Sequence, residues 1–367
     1  MSNGYQNPFS SSFTALKLRY AEYDKSIDAH QNFISQNDKI NVFISLESVL
    51  NKLSMITDIE DKLLLERNHK AILESEAINL CAHYKKFFRA YGLPTRVFMY
   101  YTDLNSDDFI NFKYNDEYRS FYINKFIMNP RYQLLGGSLI GTIVPNLKKI
   151  MEFIPDVHFI KARDIEGSLV PFIIANSDKS YKNFLISADI YESQYQLYSD
   201  RFCTHIIRNI IGGSGPRTVF DTLQKTLEYL FKDQEKNIEN SEILANPIYY
   251  SLVMSAAGDK LRSIDPLKGI GYKTFLRYLA VAVANREITD TTKTLESVIS
   301  SLPIEEPEQT VQNFRCINLE DQLENLTDDN IFAITNQIVD RFDYNSLLQL
   351  NATRYKDYPL MLQELTM

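Results

Sequence analysis

The sequence predicts an α/β chain built on a central, mostly parallel sheet with helices on both faces, followed by a helical region. Three observations carry this expectation. Short apolar runs of strand length, rich in β-branched or aromatic residues, occur at 40–46, 96–101, 157–162 and 182–188. Stretches with helical spacing separate them, which is the pattern of strand–helix–strand crossovers. Beyond about residue 206 the strand-like runs thin out. Composition agrees: 367 residues at 44% hydrophobic and 23% charged can bury a large core, and 12 Gly with 12 Pro exclude collagenous or Gly-rich β repeats.

Taken in order, residues 1–38 begin polar and Ser-rich, then show a helical pattern at Phe13, Leu16, Leu18, Tyr20 and Tyr23, an added helix rather than a domain. INVFISL (40–46) is the first strand. Residues 47–91 read as helices, with apolar positions at Leu50, Leu53, Ile56 and Ile59, stopped by Gly92 and Pro94. RVFMYY (96–101) is the second strand, and a polar loop follows it. Residues 139–154 are helical, VHFIKA (157–162) is the third strand, 164–176 are helical, and KNFLISA (182–188) is the fourth strand. The five histidines show no metal-ligand spacing, so His158, inside a strand, reads as a packed core residue. PIEEPEQ (303–309) is an acidic, proline-bracketed spacer, and residues 328–350 read as helical, with Ile331, Ile334, Ile338, Phe342, Leu347 and Leu348 on the apolar face. The expected organisation is an extension (1–38), an α/β domain (39–206), a helical region (207–286) and an acidic helical tail (287–367).

The net charge of -8 is unevenly spread. From Glu287 onward there are 15 acidic and 5 basic residues, a net of -10, which leaves the first 286 residues with 34 basic against 32 acidic. Residues 245–286 carry six basic side chains against two acidic ones, an excess that suits phosphate but also suits an ordinary solvated helix face. Cys81, Cys203 and Cys316 lie far apart and form no C-x-x-C pair, so a reducing compartment is expected. No run approaches 18 apolar residues, and the N-terminus lacks a basic and then apolar leader. The expectation is a soluble, cytoplasmic protein without a membrane partner.

In a parallel sheet the reactive groups belong at the carboxyl ends of the strands. Those ends offer Ser45 and Glu47, then Asp103, then Asp164 and Glu166, then Asp189. Carboxylates gathered there repel unless a divalent cation such as Mg²⁺ or Mn²⁺ neutralises them. Singly, each is equally a helix cap. The other informative segment, 258–279, contains Gly269-Ile270-Gly271-Tyr272-Lys273-Thr274 ahead of an apolar helix. Two glycines in a tight turn at a helix start present backbone amides to a phosphate, with Lys273 adding charge. It is not a Walker A loop, because no glycine stands five positions before the second glycine and Tyr272, not lysine, follows it. The glycine patch at 210–218 reads as a plain loop, since Pro216 removes an amide donor. Tyrosines interleaved with Lys and Arg in SDKSYKNF (177–184) and KYNDEYRSFY (113–122) suit either base stacking or the core.

The 258–279 segment resembles the helix-three-turn-helix of the 5′-nuclease family, the flap endonucleases and phage or bacterial 5′ to 3′ exonucleases. The family pattern runs G-D-x-x-D-N-x-P-G-x-x-G-I-G-x-K-T, and Gly258, Asp259, Ile264, Gly269, Ile270, Gly271, Lys273 and Thr274 match it. KARDIEG (161–167) looks like the family's E-A-D-D helix start, and SADIYESQYQL (187–197) looks like its T-A-D-x-D strand end. NFKYNDEYRSF (111–121) is similar to its F-R-x(6)-Y-K stretch, and the first strand sits where D-G-x-x is usual. The resemblance runs in order through about residues 40–286. It implies a PIN-like fold, Asp164, Glu166, Asp189 and Asp259 as catalytic and metal-binding acids with Glu47 as a further ligand, and Mg²⁺ or Mn²⁺ as cofactor if active. It implies DNA contacts from Gly269, Gly271, Lys273, Thr274, Lys113 and Arg119, with branched or 5′-ended duplex as the partner.

The chain departs from the pattern at the acids. Ser45 stands for the first aspartate, Gly167 closes the E-A-D-D motif, Tyr191 replaces the second acid of D-x-D with Glu192 beside it, and Arg262 replaces an aspartate. A site thinned in this way binds two cations poorly. Three functions follow: a catalytically impaired DNA-binding or structural subunit in phage-type DNA metabolism, an active Mg²⁺-dependent nuclease with a reduced site, or a protein-interaction subunit using the acidic tail. The sequence leaves open whether the chain is an enzyme.

Overall fold

Six strands form one sheet: β1 (Lys39–Ser45), β2 (Thr95–Thr102), β3 (Val157–Ala162), β4 (Tyr181–Ser187), β5 (Phe202–Ile207) and β6 (Val219–Phe220). The computed structural model describes residues 34–46, 81–82, 84–102, 144–151, 154–162, 165–187, 190–198, 200–207, 219–220, 249–258, 264, 266–284 and 304–338. The strand order is β3-β2-β1-β4-β5-β6. The first five strands run parallel, and β6 pairs antiparallel with β5. The helices are α1 (Val144–Met151), α2 (Val170–Ser177), α3 (Tyr250–Ala257), α4 (Tyr272–Ala284), α5 (Pro307–Ile317), α6 (Leu319–Glu324) and α7 (Asp328–Thr335). No helix among the described residues is long and apolar enough to cross a membrane.

Alternation along the strands assigns two apolar faces. Phe43 lies in register with Phe98 and with Leu185, and these three share one buried cluster with Tyr100, Ile160, Tyr191, Tyr195 and the α2 residues Val170, Ile173 and Ile174. The intervening Val42, Ile44, Val97, Met99, Phe184 and Ile186 are buried too. Phe88, on the helical stretch 84–90, packs on Phe184 with ring centroids 4.7 Å apart, so that stretch covers the second face. Double burial is what parallel strands need and explains their near-continuous apolar sequence. The order reverses between β1 and β4. Right-handed crossovers leaving in opposite directions place their helices on opposite faces and open a crevice at the carboxyl ends of those two strands.

The four expected strands lie within two residues of their sequence positions, and His158 is buried and stacked on Phe98 with centroids 4.9 Å apart. Two strands were not anticipated. β5, FCTHII, has Thr and His inside it, and β6 is two residues long, so neither carries a clear apolar period. Of the expected helix at 139–154 the described part is α1, with 139–143 and 152–153 outside the described residues, and that at 164–176 begins as a 3-10 turn (Gly167–Leu169) before α2.

The acidic tail has two conceivable fates, packing back or meeting a partner, and its described helices pack back. Leu319 and Ile334 join the sheet's main cluster. A capping box between Thr327 and Asn330 starts α7, whose helix was expected to run to about residue 350 but ends at Thr335. Just beyond, the Gln337 amide accepts from the Lys161 backbone N–H and donates to the Lys161 carbonyl, both at 2.9 Å. A side chain thus stands in for the next strand and blunts the exposed β3 edge. α5 lies against α3, where the Asn313 amide donates to the Ser255 carbonyl at 3.4 Å and the Asn318 amide donates to Ser251 Oγ at 3.1 Å. The tail and the sheet should therefore melt as one unit. Ile334, 0% exposed, should lower stability by about 2–5 kcal/mol on truncation to Ala. Urea unfolding should show one transition shifted to lower denaturant; an unshifted main transition would separate the tail from the core.

Candidate functional site

The carboxyl ends of the strands hold buried polar groups. Ser45, Thr102 and Ser187 are all buried there, with Ser45 opposite Tyr100 across β1 and β2. After β3, the Glu166 carbonyl accepts from Leu169 N at 3.0 Å and so starts the 3-10 turn, while its side chain is only 2% exposed. The next residue, Gly167, donates its N–H to Thr102 Oγ1 at 3.0 Å. A Cβ on Gly167 would lie 2.9 Å from that oxygen and 3.1 Å from the Thr102 backbone nitrogen. A side chain there requires the Thr102 hydroxyl to shift and the neighbouring backbone to give by a few tenths of an ångström. At this position the family pattern carries an aspartate.

A nine-residue 3-10 segment, Ile190–Tyr198, follows β4 and lines the same end of the sheet. Its tyrosines are held by distant partners. The Tyr191 hydroxyl donates to Gln322 Oε1 on α6 at 2.9 Å, and the Tyr195 hydroxyl donates to the Ser168 carbonyl at 2.6 Å. Glu192 accepts from the Tyr100 hydroxyl at 2.7 Å and is 2% exposed. Gln194 donates to the Ile317 carbonyl at 2.9 Å and accepts from Leu319 N at 3.2 Å, so it bridges the two tail helices. Burial pushes the Tyr195 phenol well above its usual range, the Glu192 carboxylate adds to this, and Glu166 contributes less. Both carboxylates therefore act on one buried phenol. Tyr191, at the position where the pattern has its second acid, faces the core and the tail.

The glycine turn forms the second candidate region. α3 ends at Gly258, in the left-handed region at φ +77°, and the Ala256 carbonyl accepts from Leu267 N at 3.2 Å, which folds the chain back toward the turn. Gly269 has φ +88°. The Gly271 carbonyl accepts from Thr274 N at 2.8 Å and Phe275 N at 3.3 Å, opening α4. Phe275, Leu276, Leu279 and Ala280 are buried, whereas Thr274, Arg277, Tyr278 and Val281 face solvent. Lys273 lies in the first turn of α4. A Cβ at Gly271 would meet nothing within 4 Å, so the turn is open on that side. On the other side a Cβ at Gly269 would lie 2.7 Å from Glu305 Cγ and 2.8 Å from Glu305 N.

Of the residues expected to act, the structure places Glu166 at the sheet's carboxyl ends and Gly269, Gly271 and Thr274 at the turn. Glu47, Lys113, Arg119, Asp164, Asp189 and Asp259 lie outside the described residues, as does the side chain of Lys273. Among the described residues no group of three or more His, Cys, Asp or Glu could hold a metal ion. Sequence reasoning missed Gln194 and Gln322, whose signal is only their buried position in otherwise polar stretches. The cysteines take no part: all three are buried, and burial pushes the Cys81 and Cys203 thiols up to about 12.

No family model and no curated protein matches the chain. Among solved structures it is similar to a zinc-bound T5 5′-exonuclease, at 13% identity and TM-score 0.47, over 82% of this chain and 98% of that one. It is also similar to a bacteriophage T5 flap endonuclease in a pseudo-enzyme–product complex with DNA and metal ions, at 12% identity and TM-score 0.42, over 89% of this chain and 100% of that one. Likeness at this level assigns no role to any residue; the architecture rests on the strand order and the site on its own side chains.

Two outcomes follow from this geometry. Gly167→Ala should lower stability by about 1–3 kcal/mol in urea titrations through the overlap with Thr102, and a neutral effect would mean that the turn has room. Tyr195 holds its proton more tightly folded than unfolded. Its contribution is therefore complete below the ordinary phenol value of 10.0 and is lost as pH rises through the raised folded value. Tyr195→Phe should flatten the fall of stability that sets in above pH 10.0 by up to about 1.4 kcal/mol per pH unit, the worth of one proton, and an unchanged slope would contradict the buried phenol.

Proposed function

We propose that this chain is a DNA-binding protein of the 5′-nuclease type whose two-metal site is impaired, acting as a binding or structural subunit on branched or 5′-ended duplex in phage-type DNA metabolism. The observation that carries the impairment is the packing at Gly167, where a Cβ would overlap Thr102. Tyr191 supports it, because its hydroxyl is committed to Gln322 at 2.9 Å. Two-metal hydrolysis uses paired cations to activate water and to stabilise the departing oxygen, and each ion needs several oxygen ligands beside retained waters. Among the described residues, the buried, hydrogen-bonded rim around Gly167, Tyr191 and Glu192 does not fit that requirement.

Binding rests on different groups. The amides around Gly269 and Gly271, at the start of α4, together with Lys273 and Thr274, suit a backbone phosphate. Lys113 and Arg119 would extend the contact along the duplex. The cytoplasm is the compartment this reading implies.

A second reading, a Mg²⁺- or Mn²⁺-dependent nuclease with a reduced site, is favoured by one observation: Glu166 and Glu192 are both buried carboxylates at the same end of the sheet, close enough to act together on Tyr195. It would draw on Asp164, Asp189, Asp259 and Glu47 as further ligands.

A labelled 5′-flap and a matched plain duplex, each with Mn²⁺ or EDTA, separate the readings when retardation and cleavage are both recorded. The expected result is retardation without cutting, weakened by salt, with Lys273→Ala reducing the slope of log K against log salt by about 1. Metal-dependent cutting that disappears in Asp189→Ala would replace the first reading with the second. Absence of both retardation and cutting would leave a role in protein assembly through the acidic tail.

A further inference from the structure

We propose that the acidic segment 304–308 is a built-in competitor that occupies one side of the glycine turn and must be displaced when a polyanion binds there; this rests on the DNA-binding reading above. The observations are independent of the pattern that suggested the turn. α3 ends one residue before the stretch that leads into the turn, and α5 is docked on α3 through Asn313 and Asn318. That docking delivers the start of α5 to the turn. Glu305 N lies 2.8 Å from the point a Gly269 Cβ would occupy, so a glycine at 269 is what allows the approach. Lys268 Nζ donates to both Glu306 carboxylate oxygens, at 3.2 and 3.3 Å. Glu305, Glu306 and Glu308 are exposed, and no Lys or Arg stands among residues 304–310.

The consequence is electrostatic. A phosphate approaching Gly269 from the Glu305 side meets acidic chain, and Lys268, beside that glycine, already has Glu306 as a counter-ion. Ion pairs as exposed as this one, with side chains 57% and 48% exposed, are weak and salt-sensitive. The segment therefore acts as a gate that a multivalent anion can open, not as a lock. It also accounts for the presence of Gly269 by a contact within the chain, independently of any ligand.

The test compares wild type with E305Q/E306Q/E308Q and with a control that removes equal charge elsewhere in the tail, E320Q/E324Q/D329N, using retardation of a 5′-flap duplex across a salt series. All six residues are exposed, and matching melting curves verify folding. The gate predicts binding about fivefold tighter in the first variant, a salt slope steeper by about one phosphate contact, loss of that extra slope on adding Lys268→Gln, and less than about a twofold change in the control. Equal gains in both variants would assign the effect to bulk charge and overturn the gate. Binding by wild type with no gain in the first variant would overturn the gate and leave the DNA reading standing. No binding by any of the proteins would overturn the DNA reading itself, and the gate with it.

Discussion

The Gly167 amide donates to the Thr102 hydroxyl with little room for a side chain between them, and the arrangement of the sheet's carboxyl end follows from that approach. It brings the chain leaving β3 directly onto β2. The 3-10 segment after β4 then closes over the same end, where Tyr100 reaches Glu192 and Tyr195 reaches the Ser168 carbonyl. Tyr191 and Gln194 continue outward to Gln322, Ile317 and Leu319. Among the described residues, the polar side chains at this end of the sheet are bonded within the chain. Buried hydrogen bonds of this kind are costly to leave unmade, so each member fixes the next. A rim organised as an interior junction serves cohesion, whereas a cation site needs open coordination positions and water.

The same theme recurs at the turn. Gly269 adopts a positive φ and admits the Glu305 backbone, while the side of the turn at Gly271 stays open. In both places a glycine is used for close approach within the chain: Gly167, which stands where the family pattern has an aspartate, and Gly269, which the pattern assigns to a phosphate. The acidic tail is the common participant: α6 supplies Gln322 to the rim, α5 sets Glu305 against the turn, and Gln337 seals the β3 edge. The described helices of the acidic tail are folded back onto a body whose own charges nearly balance. The tail thereby couples the two candidate regions through packed helices rather than through a linker.

Much of the fold was legible in the sequence, and the reason is local. β1 to β4 are buried on both faces, so their apolar runs stand out without alternation. β5 mixes Thr and His into a short strand, and its pairing with β4 depends on a neighbour already in place. Strand order was not legible, because it is set by crossover direction and not by composition. At the site, the departures at Ser45, Gly167 and Tyr191 were legible as residue identities, but their meaning was not. That a side chain would be crowded at Gly167 depends on Thr102, 65 positions away, and the bond of Tyr191 depends on Gln322, 131 positions away. Neither partner carries a periodic or motif signal. The turn was found from its glycines, while the acid segment against it was read as a spacer because its docking depends on α3 and α5 meeting.

On the proposed reading the carboxyl end of the sheet is a structural junction and not a cation cup. Calorimetric titration of the full chain with Mn²⁺ at neutral pH tests it most directly. The account predicts no saturable binding below about the millimolar range, as expected for scattered surface carboxylates. Two ions bound per chain with micromolar affinity would contradict it.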